Sequence, residues 1–115
     1  MGFTAPERHV MLSVYEVVLN LVEGLQPVLR CVERRDRDLG RQLRRASTSI
    51  ALNMAEGMYS RGLNRQSRYH TALGSARETL SCLEVAQRCG FVARRPTPLH
   101  AQLNQIIGTF VKLVT

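Results

Sequence analysis

The chain has 115 residues, 44% of them hydrophobic, and it carries a formal charge of +7 with a pI near 10.4. This length fits one globular domain over residues 1–115, and the apolar content excludes wholesale disorder. No apolar run reaches the length of about 18 residues that suggests a membrane span, and the N-terminus lacks the layout of a secretory signal, so we expect a cytoplasmic protein without a membrane partner.

The first predicted helix covers about residues 7–33, where apolar residues recur at helical spacing. Pro27 removes a backbone hydrogen bond and should kink or break this helix nearby. Leu12, Val17 and Leu19 lie off the main apolar stripe, so this helix must bury more than one face. Because large apolar patches are uncommon on monomers, this surplus predicts a homo-oligomer.

A charged link, residues 33–38, precedes the second predicted helix, whose expected N-cap is Asp38 and whose expected stop is Gly57. Small residues on this helix permit close approach by another helix. Its inward stripe consists of Leu39, Leu43, Ala46, Ile50, Asn53 and Gly57.

Asn53 and Glu56 are the polar residues of interest on this helix. An amide on an apolar stripe costs stability unless it is paired, so we interpret Asn53 as a hydrogen-bonded lock between helices that sets register or oligomeric state. Glu56 is expected to pair with Arg77 or with an arginine of another helix. The alternative for Asn53 and Glu56 is a small-molecule or catalytic site.

The third predicted helix starts at its cap, Asn64, and finishes near Gly90. The fourth opens with Thr97 before Pro98, a common start for a helix. Four helices joined by short links predict an all-α, antiparallel up-down-up-down four-helix bundle.

No residue set indicates catalysis or a cofactor. His9, His70 and His100 lie on separate segments without a second metal ligand at helical spacing. The chain contains neither a Gly-x-Ser-x-Gly elbow nor a glycine-rich phosphate loop, so we do not expect an enzyme. The cysteines lack C-x-x-C spacing and are interpreted as reduced thiols that pack as small apolar residues: Cys31, Cys82 and Cys89.

Fifteen of the sixteen basic residues are arginine, which suits bidentate phosphate contact. A GC-rich genome explains the choice of arginine but not the surplus of positive charge. Two groups stand out, one around the first link (Arg34, Arg35, Arg37, Arg41, Arg44 and Arg45) and one at the start of the third helix (Arg61, Arg65 and Arg68).

We predict that seven of these arginines bind the phosphates of RNA or DNA: Arg37, Arg41, Arg44, Arg45, Arg61, Arg65 and Arg68. Only Tyr59 and Tyr69 lie close to them, so base stacking and sequence readout should be weak. The alternative is an ordinary solvated face, partly neutralised by neighbouring acidic residues.

The run from Gln42 to Gly57 resembles the signature of the bacterial four helix bundle protein family, whose reading frames lie in intervening sequences of large-subunit ribosomal RNA genes. That signature is roughly Gln-Leu-Arg-Arg-Ala, small residues, then Ile-Pro-x-Asn-Ile-Ala-Glu-Gly. The likeness continues through residues 73–80, 83–84 and 88–92. Ala51 replaces the usual proline, so the helix need not bend there, and residues 34–38 are more charged than the typical link.

The resemblance implies a four-helix bundle. The family is similar to the accessory protein of diversity-generating retroelements, a basic pentameric bundle that binds a reverse transcriptase and nucleic acid. It therefore implies a ring of five copies, RNA or DNA as ligand, and a reverse transcriptase as partner if one is encoded nearby. The alternative is a homo-oligomeric protein-interaction module whose positive charge is incidental.

Overall fold

The computed structural model describes residues 4–94 and 98–115 of the chain. This part contains helices and no strand, which confirms the predicted all-α class. The helices are α1 (Ala5–Gly24), α2 (Gln26–Arg35), α3 (Arg37–Met58), α4 (Gly62–Arg88) and α5 (Pro98–Val114).

The first predicted helix is divided into α1 and α2, which meet at Leu25 with a bend of 42°. Pro27 lies in the first turn of α2, where a helix needs no backbone N–H donor from it. The expected break is therefore confirmed. At the other end of α1, Thr4 and Glu7 form a capping box, with each side chain accepting from the other's backbone N–H at 3.2 Å.

The N-cap of α3 is Asp36 rather than the predicted Asp38. Asp36 has an extended backbone, and its Oδ1 accepts a hydrogen bond of 3.0 Å from the backbone N–H of Leu39. Asp38 lies in the first turn, where a carboxylate still complements the helix dipole. The prediction was wrong because α2 continues to Arg35, which leaves a single non-helical residue between the two helices.

The start of α4 also differs from the prediction. The helix begins at Gly62, whose positive φ of 57° suits glycine, so Asn64 lies inside the helix instead of capping it. Its end near Gly90 is confirmed: the N–H groups of Gly90 and Phe91 donate to the carbonyls of Gln87 and Ala86, a Schellman arrangement. The predicted cap Thr97 lies outside the described residues.

The helices pack on one another around a common core. The most extensive contacts join α3 to α4 and α4 to α5, and α1 packs on both α3 and α5. Side chains across the α3–α4 interface meet in antiparallel order, Ser49 opposite Ser75 and Asn53 opposite Arg68. The largest fully buried side chains include Phe110, Met11, Leu21, Leu25, Leu29, Leu43, Ile50 and Met54. The bundle measures 46 × 23 × 22 Å.

Part of the apolar surface of α1 has no partner in the chain. Val10, Leu12 and Leu19 are 55%, 51% and 37% exposed. At the N-terminal end of α1, an apolar groove of about 380 Å³ lies against the end of α5 and is lined by Pro6, Glu7, Val10, Met11 and Leu113. In the described residues no single helix is long and apolar enough to cross a membrane; α1 and α2 pass that test only together, as the bent pair.

Candidate functional site

A groove of about 690 Å³ lies between α2 and α3 near their shared link. Because one residue separates the two helices, arginines from both helices line this groove. Its walls consist of Arg30, Glu33 and Arg34 from α2 and Arg37, Arg41 and Arg44 from α3. We call this concavity the α2–α3 groove.

Arg44 crosses the α2–α3 groove to an acidic residue. Its Nη2 and Nε donate to Glu33 Oε1 at 2.6 Å and 2.9 Å. Arg41 makes a looser and more exposed contact with Asp38, at 3.9 Å. Exposed ion pairs of this kind are worth at most about 1 kcal/mol, so these arginines remain able to bind another anion.

A second groove of about 390 Å³ runs along the outer face of α3. It shares Arg41 and Arg44 with the α2–α3 groove, so the two concavities adjoin at these side chains, and we call the two together the track. The other residues that line it are Arg45, Thr48, Ser49, Leu52 and Asn53. Between Arg37 and Asn53 this track extends about 24 Å, the rise of roughly seven nucleotides of one strand.

Asn53 ends the track and connects it to α4. Its Nδ2 donates to the backbone carbonyl and the hydroxyl of Ser49, at 3.0 Å and 2.9 Å, and its Oδ1 accepts from Arg68 Nη1 at 3.3 Å. A 2.8 Å hydrogen bond between the hydroxyls of Ser75 and Ser49 extends this network across the helix interface. Asn53 is therefore paired within the chain, as the interpretation of a lock between helices requires.

The arginines predicted at the start of the third helix differ from one another in exposure and in hydrogen bonding. Arg68 reaches the track through Asn53, and Arg61 is the exposed residue that precedes α4. Arg65 is half-buried, and its Nε donates to the carbonyl of Gly57 at 3.2 Å. Arg65 thus helps to satisfy the end of α3, a structural role that the sequence did not predict.

Gly57 and Glu56 differ from their predicted roles. Gly57 is buried in the last turn of α3 and has no left-handed backbone; its missing side chain admits the ring of Tyr69. Glu56 is exposed, and within the part of the chain that the structure describes no ion pair joins it to Arg77.

The tyrosines near the arginines are not equivalent. Tyr59 is 90% exposed at the end of α3, whereas Tyr69 is buried against Phe110 with 5.9 Å between ring centroids. Only Tyr59 of this pair offers a face on which a base could stack. Burial raises the pKa of Tyr69 to about 12, although Arg65 lowers it in part, and its hydroxyl makes no hydrogen bond to the described residues.

The described residues hold no cluster suited to metal binding. Among residues 4–94 and 98–115, no three His, Cys, Asp or Glu side chains come together. Burial and the nearby Glu78 raise the pKa of the Cys82 thiol, which disfavours a thiolate. Cys89, predicted to pack as an apolar residue, is exposed because it caps the end of α4.

Arg30 is the groove residue that the sequence analysis missed. It lies on α2 four residues before Arg34, so both side chains share one face of that helix. The i, i+4 spacing was visible in the sequence, but the packing of α2 against α3 after a one-residue link was not.

Comparisons with known proteins place these features in a family context. The family model described as 23S rRNA-intervening sequence protein matches residues 11–111. A solved structure from Bacteroides thetaiotaomicron VPI-5482, described as a protein with unknown function from the S23 ribosomal protein family, aligns with a TM-score of 0.74 at 17% identity. The alignment covers 89% of this chain and 98% of that chain, and at this identity it shows the fold alone. No curated protein matches.

Proposed function

This chain belongs to the 23S rRNA-intervening sequence protein family, and from that membership we propose that it is a non-enzymatic, homo-oligomeric accessory protein that binds RNA or DNA through the phosphate backbone. The observation that carries the proposal is the arginine-lined track formed by the α2–α3 groove and the adjoining groove along α3. Six arginines line it and Glu33 is its one acidic lining residue.

The chemistry of the track favours backbone contact over base recognition. Guanidinium groups bind phosphate in a fork geometry and release condensed counterions when they do so. No aromatic residue lines either groove, and the exposed Tyr59 lies beyond the end of the track that Asn53 marks. We therefore expect affinity that depends on salt and little on sequence.

A salt series tests this proposal. We would measure binding of single-stranded and duplex RNA and DNA oligonucleotides by fluorescence anisotropy, from low to physiological salt. Each phosphate contact should contribute about 0.7–0.9 to the slope of log affinity against log salt. Absence of binding even at low salt would refute the proposal and leave the positive charge as a compositional feature.

A second candidate function is a protein-interaction module, which the exposed apolar residues of α1 favour. The same residues support self-assembly, and the family resemblance suggests a ring of five, in which each copy offers the same patch to the next. A reverse transcriptase is a proposed partner only where a gene for one lies nearby. Co-purification with such an enzyme, at salt that dissociates nucleic acid, would separate protein binding from shared nucleic acid.

A further inference from the structure

The α2–α3 groove holds one carboxylate among five arginines. Glu33 Oε1 accepts from both Nη2 and Nε of Arg44, and the two side chains remain 36% and 49% exposed, respectively. A carboxylate oxygen on a guanidinium fork is chemically close to a phosphate oxygen in the same place, because both are anionic acceptors. Glu33 thus occupies donors that a phosphate could use.

The backbone keeps Glu33 in that position. Gly40 of α3 packs directly against Glu33: a Cβ built at residue 40 would lie 3.0 Å from Glu33 Cα and closer still to its Cγ. Glycine therefore permits the close approach of α2 and α3 that brings Glu33 beside Arg44. Arg30 and Arg34, on the same helix as Glu33, are lining residues of the same groove.

We infer that the α2–α3 groove is a phosphate site in which Glu33 holds Arg44 until a phosphate of a polynucleotide replaces the carboxylate. The inference rests on the proposed function and adds Arg30 and Arg34 to the residues that serve it. A single small anion gains little, because it exchanges one ion pair of Arg44 for another. A polynucleotide also reaches the other arginines of the track, so the exchange favours chains of several phosphates.

The test compares Glu33→Gln with Glu23→Gln, which removes the same charge from an exposed position on α1. Affinity for a fluorescent single-stranded RNA of about eight nucleotides, a length matched to the track, is measured across a salt series. We expect Glu33→Gln to tighten binding roughly fivefold at low salt and Glu23→Gln to change it less than about twofold. Circular dichroism should show unchanged helix content in both variants.

Arg44→Gln provides the specificity control. In that background the excess effect of Glu33→Gln over Glu23→Gln should disappear, because the guanidinium that Glu33 occupies is gone. Equal effects of the two glutamate variants, or an excess that survives Arg44→Gln, would overturn the inference. Wild-type binding in that same experiment would leave the proposed function intact.

A second arm uses inorganic phosphate and follows the Nε–H resonance of Arg44 by NMR. We expect phosphate at millimolar concentration to shift this resonance in Glu33→Gln and to leave it in place in the wild-type protein. If no variant binds RNA, the proposed function fails and this arm alone decides whether the groove is an anion site. An unmoved Arg44 resonance in Glu33→Gln would then reject the site itself.

Discussion

Gly57 of α3 lies against the ring of Tyr69 of α4 so closely that a Cβ at residue 57 would stand 2.7 Å from Tyr69 Cδ1 and nearer still to Cε1. The ring of Tyr69 also packs on Phe110 of α5. A displaced ring would therefore disturb contacts among three helices.

Gly57→Ala should destabilise the protein by about 1–3 kcal/mol, the usual cost of overpacking a core. Gly74→Ala is the matched control, because Gly74 is exposed within α4 and a Cβ there would meet nothing within 4 Å. That substitution should stabilise by about 0.5–1 kcal/mol through helix propensity. Urea denaturation measures the free energy of unfolding of both variants. Equal changes would show that the contact with the Tyr69 ring does not require glycine at residue 57.

Asn53→Leu should preserve helix content but alter the assembly of copies or its uniqueness, because a register-setting polar group is lost. It also removes the acceptor of Arg68 and the donor to Ser49, at a cost of roughly 1 kcal/mol. Ala46→Leu, at a position only 3% exposed, should cost more, about 1–3 kcal/mol. Chemical denaturation and light scattering check both. Unchanged stability and stoichiometry for Asn53→Leu would favour a ligand role for that residue.

The fourfold change of Arg37, Arg41, Arg44 and Arg45 to Gln should weaken RNA and DNA binding almost equally across sequences. Each lost contact should flatten the slope of log affinity against log salt by about 0.7–0.9. Helix content should not change, because these side chains are solvated.

Arg77→Gln combined with Lys112→Gln is the control for net charge, since both residues are exposed on α4 and α5 outside the two grooves. Anisotropy titrations at several salt concentrations compare the variants per charge removed. If the control weakens binding as much per charge as the fourfold variant, the track has no special role.

Leu12→Gln with Leu19→Gln should reduce assembly while leaving the subunit folded. The two residues are seven apart on α1, so they share a helix face, and both are partly exposed in the single chain. Each change should cost the isolated subunit little, since neither side chain is fully buried in it. Light scattering at micromolar concentration gives the result. A wild-type species of 13.0 kDa would contradict assembly altogether.

Tyr69→Phe should remove a loss of stability at high pH. The folded pKa of Tyr69 is about 12 against an ordinary value of 10.0, so above pH 10 the unfolded chain loses its phenolic proton first. The part of the free energy of unfolding that comes from this pKa difference is fully present below pH 10. It is lost as pH rises toward 12, at roughly 1 kcal/mol per pH unit. Urea denaturation of both proteins from pH 9 to pH 11.5 isolates it as their difference. Parallel pH profiles would mean that Tyr69 ionises normally.

Helical spacing and proline chemistry were sufficient to predict the helices and the break near Pro27. They did not distinguish Asp36 from Asp38 as a cap, because both have the right side chain and only the length of α2 decides between them. Gly57 presented a similar ambiguity. Glycine suits both a helix end with left-handed backbone geometry and a close contact between helices. The residue that decides between these two roles, Tyr69, lies on another helix.

Part of the candidate site could be predicted from the sequence, because helix geometry alone determines which residues share a face. Arginines at i, i+4 and i+7 on α3 share a flank by helix geometry alone, so Arg37, Arg41 and Arg44 could be grouped from the sequence. The presence of Arg30 in the groove and the pairing of Glu33 with Arg44 depend on how α2 packs against α3. That packing follows the reversal of the chain at the one-residue link, Asp36, whose geometry no local pattern specifies.

The groove shared by Pro6, Val10, Met11 and Leu113 shows that the two ends of the described chain meet at one end of the bundle. Asp36 is the one residue between α2 and α3, and both α1 and α2 pack on α3, so the chain reverses its direction at this link. A fluorophore attached near Pro6 or Leu113 would therefore be separated from the α2–α3 groove by the length of α1, about 30 Å for its 20 residues. A label there would crowd the exposed apolar residues of α1 and leave the groove unobstructed, so it is compatible with a nucleic-acid binding assay but not with a measurement of self-assembly.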